Sequence, residues 1–282
     1  MHPLLRIVRP ANVAVSFVGT VVGAAVGRAA LESAPASFWV LAVLAAISTA
    51  CVTSAGNVLN DLLDREVDRT NHPDRPLVTG EVRVDTARGL VVGLFMASLF
   101  VALPVIALEP LVGVILAAAV LALLGYELRF KARGFVGNLV IAFLTAMVFL
   151  YGGAAVGQAT LLLPFAGMAF FATLGREVIK DMEDIRGDVG RTTLPMTYGM
   201  SFATRTARGA VLAGVVLSVL PLAWFVSVTS VAGIIYIVLV GAADAVFGVS
   251  VRYLPERLHY EQTMSKVAMT VALFAFLAVA FR

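Results

Sequence analysis

Two clusters along the chain repeat a polar or acidic residue at steps of four, three and four. They are Asn57, Asp61, Asp64 and Asp68, and then Glu177, Asp181, Asp184 and Asp188. On a helix these steps bring all four side chains to one face. Like charges stacked that closely repel, so packing gives no reason to gather them. A multivalent cation with a polyanionic ligand does. Carboxylates of this kind hold Mg²⁺, which is usually bound through a few carboxylates and completed by substrate phosphates. The plain alternative, two solvated charged loops, does not account for one pattern occurring twice.

The elements that must position these clusters are membrane helices. The chain is 60% hydrophobic and 14% charged, against roughly 25% charged in soluble domains, and its mean hydropathy is +0.94. Nine apolar runs, 11–28, 37–58, 87–108, 110–126, 135–155, 159–175, 207–228, 229–250 and 264–281, are each about long enough to cross a bilayer as a helix. A β-barrel needs alternating segments of about ten residues and is excluded. The expected fold is all-α: one polytopic membrane domain, residues 1–282, of about nine transmembrane helices. Arg6 and Arg9 precede the first span with no small-residue cleavage site at the right distance after it, so no cleaved leader is expected. Cys51, the single cysteine, allows no internal disulfide.

Charge placement sets the expected orientation. With an odd number of spans the termini lie on opposite faces. Nineteen of the 21 Lys and Arg then fall on the N-terminal side, leaving Arg28 and Arg282 opposite. Cytoplasmic loops carry such an excess, so a cell-membrane protein is expected with its N-terminus and both acidic clusters in the cytoplasm. The net charge of +3 describes this polarity. No basic, aromatic-interleaved nucleic-acid surface is present, and no obligate protein partner is evident.

The motifs carry a resemblance. Asn57 to Asp68, with Asn71-His72-Pro73-Asp74-Arg75-Pro76 after it, resembles the first motif of the UbiA-type intramembrane prenyltransferases. Arg176 to Asp188, continuing to Thr193-Leu194-Pro195 and Tyr198-Gly199, resembles the second. Arg9-Pro10-Asn12, and Tyr126 with Lys131 and Arg133, also fit the family. The resemblance covers nearly the whole chain. It implies helices around a central lipid-accessible cavity capped by cytoplasmic loops, and Mg²⁺-dependent transfer of a prenyl chain from its diphosphate to an acceptor.

The chemistry assigns roles to residues. An allylic diphosphate ionises when its leaving group is neutralised, which Mg²⁺ bridging carboxylates to phosphate oxygens achieves as a Lewis acid. Two clusters can hold two ions, one each. Asp61, Asp64, Asp68, Asp181, Asp184 and Asp188 are the expected catalytic acids and metal ligands, with Asn57 a neutral oxygen ligand or a hydrogen-bond donor behind them. Glu177 either joins its cluster or pairs with Arg176 or Lys180. Lys180, Arg176, Arg75 and Lys131 are the expected cations at the diphosphate, since Arg binds phosphate bidentately and Lys as a point charge. Tyr126 is placed at the substrate, where its ring face either stabilises an allylic cation or anchors at the membrane interface. Asp244, inside the eighth span, is either functional or an interhelical hydrogen-bonding group.

Within the superfamily, the run Arg176 to Asp184 most resembles the archaeal branch that builds the second ether bond of isoprenoid glycerolipids. That branch moves a geranylgeranyl group to the sn-2 hydroxyl of geranylgeranylglyceryl phosphate. A phosphorylated, lipid-like acceptor needs a further basic site, for which Arg9 and Lys131 are candidates. Two other readings stand: an aromatic prenyltransferase of quinone biosynthesis, and an ion-coupled transporter, whose intramembrane acids would sit nearer the midplane than these do.

Overall fold

A computed structural model describes residues 1–31, 36–186, 192–224 and 226–281. Asp188 lies outside the described residues. Among these residues the chain is all helix, with nine helical segments long and apolar enough to cross a membrane.

A short α1 (Pro3–Ile7) leads into α2 (Pro10–Arg28), followed by α3 (Phe38–Leu63). Two short helices, α4 (Arg65–Asn71) and α5 (Pro76–Thr79), cap that end before α6 (Val84–Leu108) and α7 (Pro110–Gly125). A π-helical turn (Tyr126–Phe130) closes α7. Then come α8 (Phe135–Ala154) and α9 (Leu163–Glu183). The chain ends with α10 (Leu194–Tyr198), α11 (Met200–Leu217), α12 (Leu220–Trp224), α13 (Val231–Arg252) and α14 (Leu258–Val279).

Successive spans alternate in direction, so the end of α3, the start of α8 and the end of α9 share one face of the bundle. The interior is held by two main clusters. Val22, Phe149, Phe165, Tyr236 and Phe276 join α2, α8, α9, α13 and α14. Leu41, Val105, Ile115 and Tyr151 join α3, α6, α7 and α8. The crossing of α2 on α8 depends on small residues, as membrane helix contacts do. A Cβ on Gly152 would lie 2.1 Å from the Thr20 carbonyl oxygen, and one on Gly23 2.5 Å from that of Phe149. Outward-facing Phe100, Leu121 and Val231 are at least 70% exposed, an apolar belt suited to lipid.

Several helices begin or end at positions other than the hydropathy predicts, among them α9, which runs on to Glu183 where the apolar run ends at 175. Helix α3 runs to Leu63, beyond residue 58, because Asn57, Asn60 and Asp61 stay helical and find polar partners. Helices α11 and α14 start at Met200 and Leu258, not at 207 and 264. In α14 the first turn hides a charge that lowers local hydropathy, Glu261 being fully buried, whereas in α11 the charge stays exposed and Arg208 is tied to backbone carbonyls at the end of α13.

Candidate active site

The two acidic motifs are built alike. Asp64 closes α3 with φ −87° and ψ 3°, and Asp184 closes α9 with φ −84° and ψ 1°. Each motif therefore spans a helix end, with its first members on the long helix. In the first, the bonds from the Asp64 N–H to the Asn60 carbonyl (2.9 Å) and from the Asp68 N–H to the Asp64 carbonyl (2.8 Å) carry the i to i+4 spacing across the break. Asp61 and Asp68 consequently meet the same guanidinium.

That guanidinium is Arg75. It lies 3.1 Å from Asp61 and pairs with Asp68, both acids being almost fully buried. Proline on either side of Asp74-Arg75 stiffens the loop that presents it. Arg9 arrives from the other side, pairing with Asp61 and donating to the Asn60 Oδ1 at 3.0 Å. Its backbone is left-handed, φ 54°, the single non-glycine residue with positive φ among the described residues. Pro10 disfavours the right-handed helical conformation for Arg9. Strain of this kind persists where the surroundings over-determine it, and here it falls on the residue that reaches the buried acid. Asn57 donates to the Val8 carbonyl at 2.7 Å, fixing the α1–α2 junction against α3.

Lys131 joins the motifs. It pairs with Asp64, lies 3.4 Å from Glu127, and lines a polar pocket with Glu177, Lys180, Asp181 and Asp184. Tyr126, Gly134, Gly137, Asn138 and Thr193 complete that pocket. In the second motif Asn138 donates to Asp181 at 2.7 Å, and Arg176 pairs with Glu177 at 2.7 Å. Gly134 sets the approach. Its φ is +52°, and a Cβ there would fall 2.1 Å from the Thr192 carbonyl oxygen, so only glycine lets the Lys131 loop dock on the segment after the second motif. Gly134→Ala should separate them and lower turnover by about tenfold or more, with a reduced melting temperature. Unchanged kinetics would show that this docking does not place Lys131.

Arg9 and Lys131 were candidates for a separate acceptor-phosphate site, yet both lie on the first acidic motif. The cause is burial: carboxylates withdrawn from water need counter-charges, and these are the cations that the α1–α2 junction and the α7–α8 connection supply. Glu127 and Asn138 join the site without having been singled out, and Asn60 and Thr193, which lie within the two motifs, join it without having been given a role. Asn60 donates to Asp64 (3.2 Å) and to Glu127 (3.3 Å). A buried amide in a membrane span is itself a signal, and Asn138 carried it. Asp244 accepts from Ser218 at 2.8 Å, the interhelical hydrogen-bond reading.

Residues 20–280 match the UbiA prenyltransferase family. The digeranylgeranylglyceryl phosphate synthase of Methanopyrus kandleri is 36% identical over 99% of both chains, and that of Methanosphaera stadtmanae 31% over 98% of both. A solved digeranylgeranylglyceryl phosphate synthase superposes with a TM-score of 0.81 at 26% identity, covering 99% of this chain and 97% of that one. A UbiA homologue from Archaeoglobus fulgidus, bound to GPP and Mg²⁺, shares the fold with a TM-score of 0.72 at 22% identity, covering 99% and 100%. A multi-pass bundle with twin acidic motifs at one face, matched over nearly all its length, leaves no place for the transporter reading: the chain belongs to the UbiA prenyltransferase family and is a prenyltransferase.

Proposed function

We propose that this enzyme transfers a geranylgeranyl group from its diphosphate to the sn-2 hydroxyl of geranylgeranylglyceryl phosphate, with Mg²⁺, at the cytoplasmic face of the cell membrane. The observation that carries the reaction class is the meeting of both acidic motifs at Lys131. The acceptor rests on the relatives, which bear that activity in their names at 31% and 36% identity over nearly full length. The cytoplasmic placement rests on the Lys and Arg bias.

The donor set fits Mg²⁺. All its candidate ligands are hard oxygens, and among the described residues no three acids converge into a ready-made cage. Mg²⁺ prefers such an arrangement, taking one or two carboxylates and leaving its other positions to phosphate and water. Charge favours two ions. Asp61, Asp64, Asp68 and Glu127 face Arg9, Arg75 and Lys131, one negative charge in excess, while Glu177, Asp181 and Asp184 face Arg176 and Lys180, again one in excess. A diphosphate entering a site already negative needs added cations. The A. fulgidus homologue, with GPP and Mg²⁺ bound, is in keeping with this.

Bound Mg²⁺ supplies Lewis-acid neutralisation of the leaving group. The protein does the rest. Asp61, Asp64 and Asp68 of the first motif, and Asp181 and Asp184 of the second, would hold the ions. Lys131 and Lys180 put positive charge against the diphosphate between them. Arg75 and Arg9 fix the Asp61 and Asp68 carboxylates, and Asn138 fixes Asp181, so that little reorganisation accompanies the reaction. The C1–O bond of the donor breaks, the acceptor oxygen bonds to C1, and diphosphate and one proton are released.

The test is an assay of purified protein with geranylgeranyl diphosphate and Mg²⁺ against a panel of acceptors. Ether-lipid formation from geranylgeranylglyceryl phosphate is expected, with none from hydroxybenzoate or naphthoate rings. Prenylation of the aromatic acceptors alone would overturn the assignment.

A further inference from the structure

Thr193 carries a hydroxyl that the fold itself does not use. The residue is 3% exposed, and its Oγ1 has no hydrogen-bond partner among the described residues. Its place in the chain offers a local partner. Thr193 precedes α10 at the N-cap position, where a threonine oxygen ordinarily accepts from an N–H of the first turn. Here the side chain makes no such bond. The Thr193 carbonyl is engaged instead, accepting from the Thr197 N–H and from its Oγ1, each at 3.1 Å. A buried hydroxyl left without a partner is costly, and native folds tolerate few of them.

Contacts on both sides hold this residue at the polar pocket of the second motif. Leu194, next in the chain, packs in one cluster with Val178, Ile179 and Met182 of α9. On the other side, the Thr192 N–H donates to the Ala132 carbonyl at 3.4 Å, in the loop that carries Lys131. Gly134 lets that loop in close, since a Cβ there would lie 3.2 Å from the Thr193 Cα. Thr193 therefore lines the pocket with Lys131, Lys180, Asp181 and Asp184. The amide that shares this lining is already committed, Asn138 donating to Asp181 at 2.7 Å.

The chemistry of the lining decides which ligand atom this hydroxyl meets. An ionised phosphate oxygen only accepts hydrogen bonds. A neutral hydroxyl donating to it makes a charge-assisted bond, about twice as strong as a neutral one, and adds no charge to a pocket where lysines and carboxylates already oppose each other. We propose that Thr193 donates its hydroxyl proton to a diphosphate oxygen of the prenyl donor, alongside Lys131 and Lys180. This rests on the reading that the pocket takes that diphosphate. The bond forms with the bound donor and strengthens as the C1–O bond breaks, because negative charge then builds on the leaving oxygens. Thr193 is thus a donor-binding residue, with no part in holding the acceptor.

The test compares Thr193→Val, which keeps the β-branched shape without the hydroxyl, with Thr193→Ser, which keeps the hydroxyl. Calorimetric titration of the purified full-length proteins in detergent with inorganic diphosphate and Mg²⁺ reads binding directly. Kinetics with geranylgeranyl diphosphate and geranylgeranylglyceryl phosphate, each varied in turn, read the rest. Thr193→Val should weaken inorganic diphosphate and raise the donor KM by a like factor, about 10- to 100-fold, with a lower kcat and an unchanged acceptor KM. Its melting temperature should not fall, because the hydroxyl it removes has no partner in the fold. Thr193→Ser should bind as the wild type does. Undiminished diphosphate binding by Thr193→Val would overturn the proposal, as would an equal loss in Thr193→Ser or an effect confined to the acceptor KM. Should Thr193→Val not fold, Thr193→Ala against Thr193→Ser decides by the same measurements. A wild type that does not bind diphosphate with Mg²⁺ would sink the donor reading itself, and the proposal with it.

Discussion

Asp61→Ala is expected to lower kcat/KM by about 10³-fold or more, a loss of about 4 kcal/mol of transition-state stabilisation. Asp61 is 3% exposed and is contacted by both Arg9 and Arg75. Its removal takes away a carboxylate proposed to hold Mg²⁺, an interaction worth several kcal/mol, of order, and leaves two guanidinium groups facing each other. Asp61→Asn separates these causes. The amide keeps the volume and one oxygen but not the charge, so it should be nearly as inactive while folding normally by gel filtration and melting temperature. A folded Asp61→Asn variant with wild-type kinetics would show that the charge at this position is not used.

Lys131→Ala is expected to cost about 10²-fold in kcat/KM, with a raised KM for the prenyl diphosphate and an unchanged KM for the acceptor. The side chain is 12% exposed, pairs with Asp64 and Glu127, and lines the pocket of the second motif. Its loss leaves two neighbouring acids without their cation and removes the positive charge between the two clusters. Lys131→Arg keeps the charge, but its planar fork differs from a point charge, so only partial recovery is expected. Steady-state kinetics with each substrate varied in turn checks this. An effect confined to the acceptor KM would return Lys131 to the acceptor-phosphate role that sequence reasoning considered for it.

Much of this arrangement is legible in the sequence, and what is not has physical reasons. The nine spans follow from apolar runs of bilayer length. The acidic faces follow from helical periodicity, and the bond ladder through Asp64 preserves the first of them across a helix break that hydropathy does not signal. Arg75 was legible because prolines fix its loop near the acids in sequence. Glu127 and Asn138 were not, since their partners Asn60 and Asp181 lie 67 and 43 positions away and only helix packing brings them together. Arg9 shows the same limit. Its type suited a phosphate, but which anion it reaches depends on a backbone turn at Pro10 and on how deeply Asp61 is buried. Glu261 is the opposite case: a charge that lowers local hydropathy, and so reads as the loop before a span, is enclosed within the span itself.

The central claim is that the two acidic motifs act on the donor diphosphate as one site. Its most direct test is a double-mutant cycle on binding of a geranylgeranyl thiolodiphosphate, an analogue slow to ionise, to wild type, Asp64→Asn, Asp184→Asn and the double variant, with and without Mg²⁺. One shared site predicts Mg²⁺-dependent binding that each single change weakens by about 10²-fold. The double change should be scarcely worse than either, a coupling of about 2–3 kcal/mol. Additive losses, or wild-type binding that is the same without Mg²⁺, would contradict it.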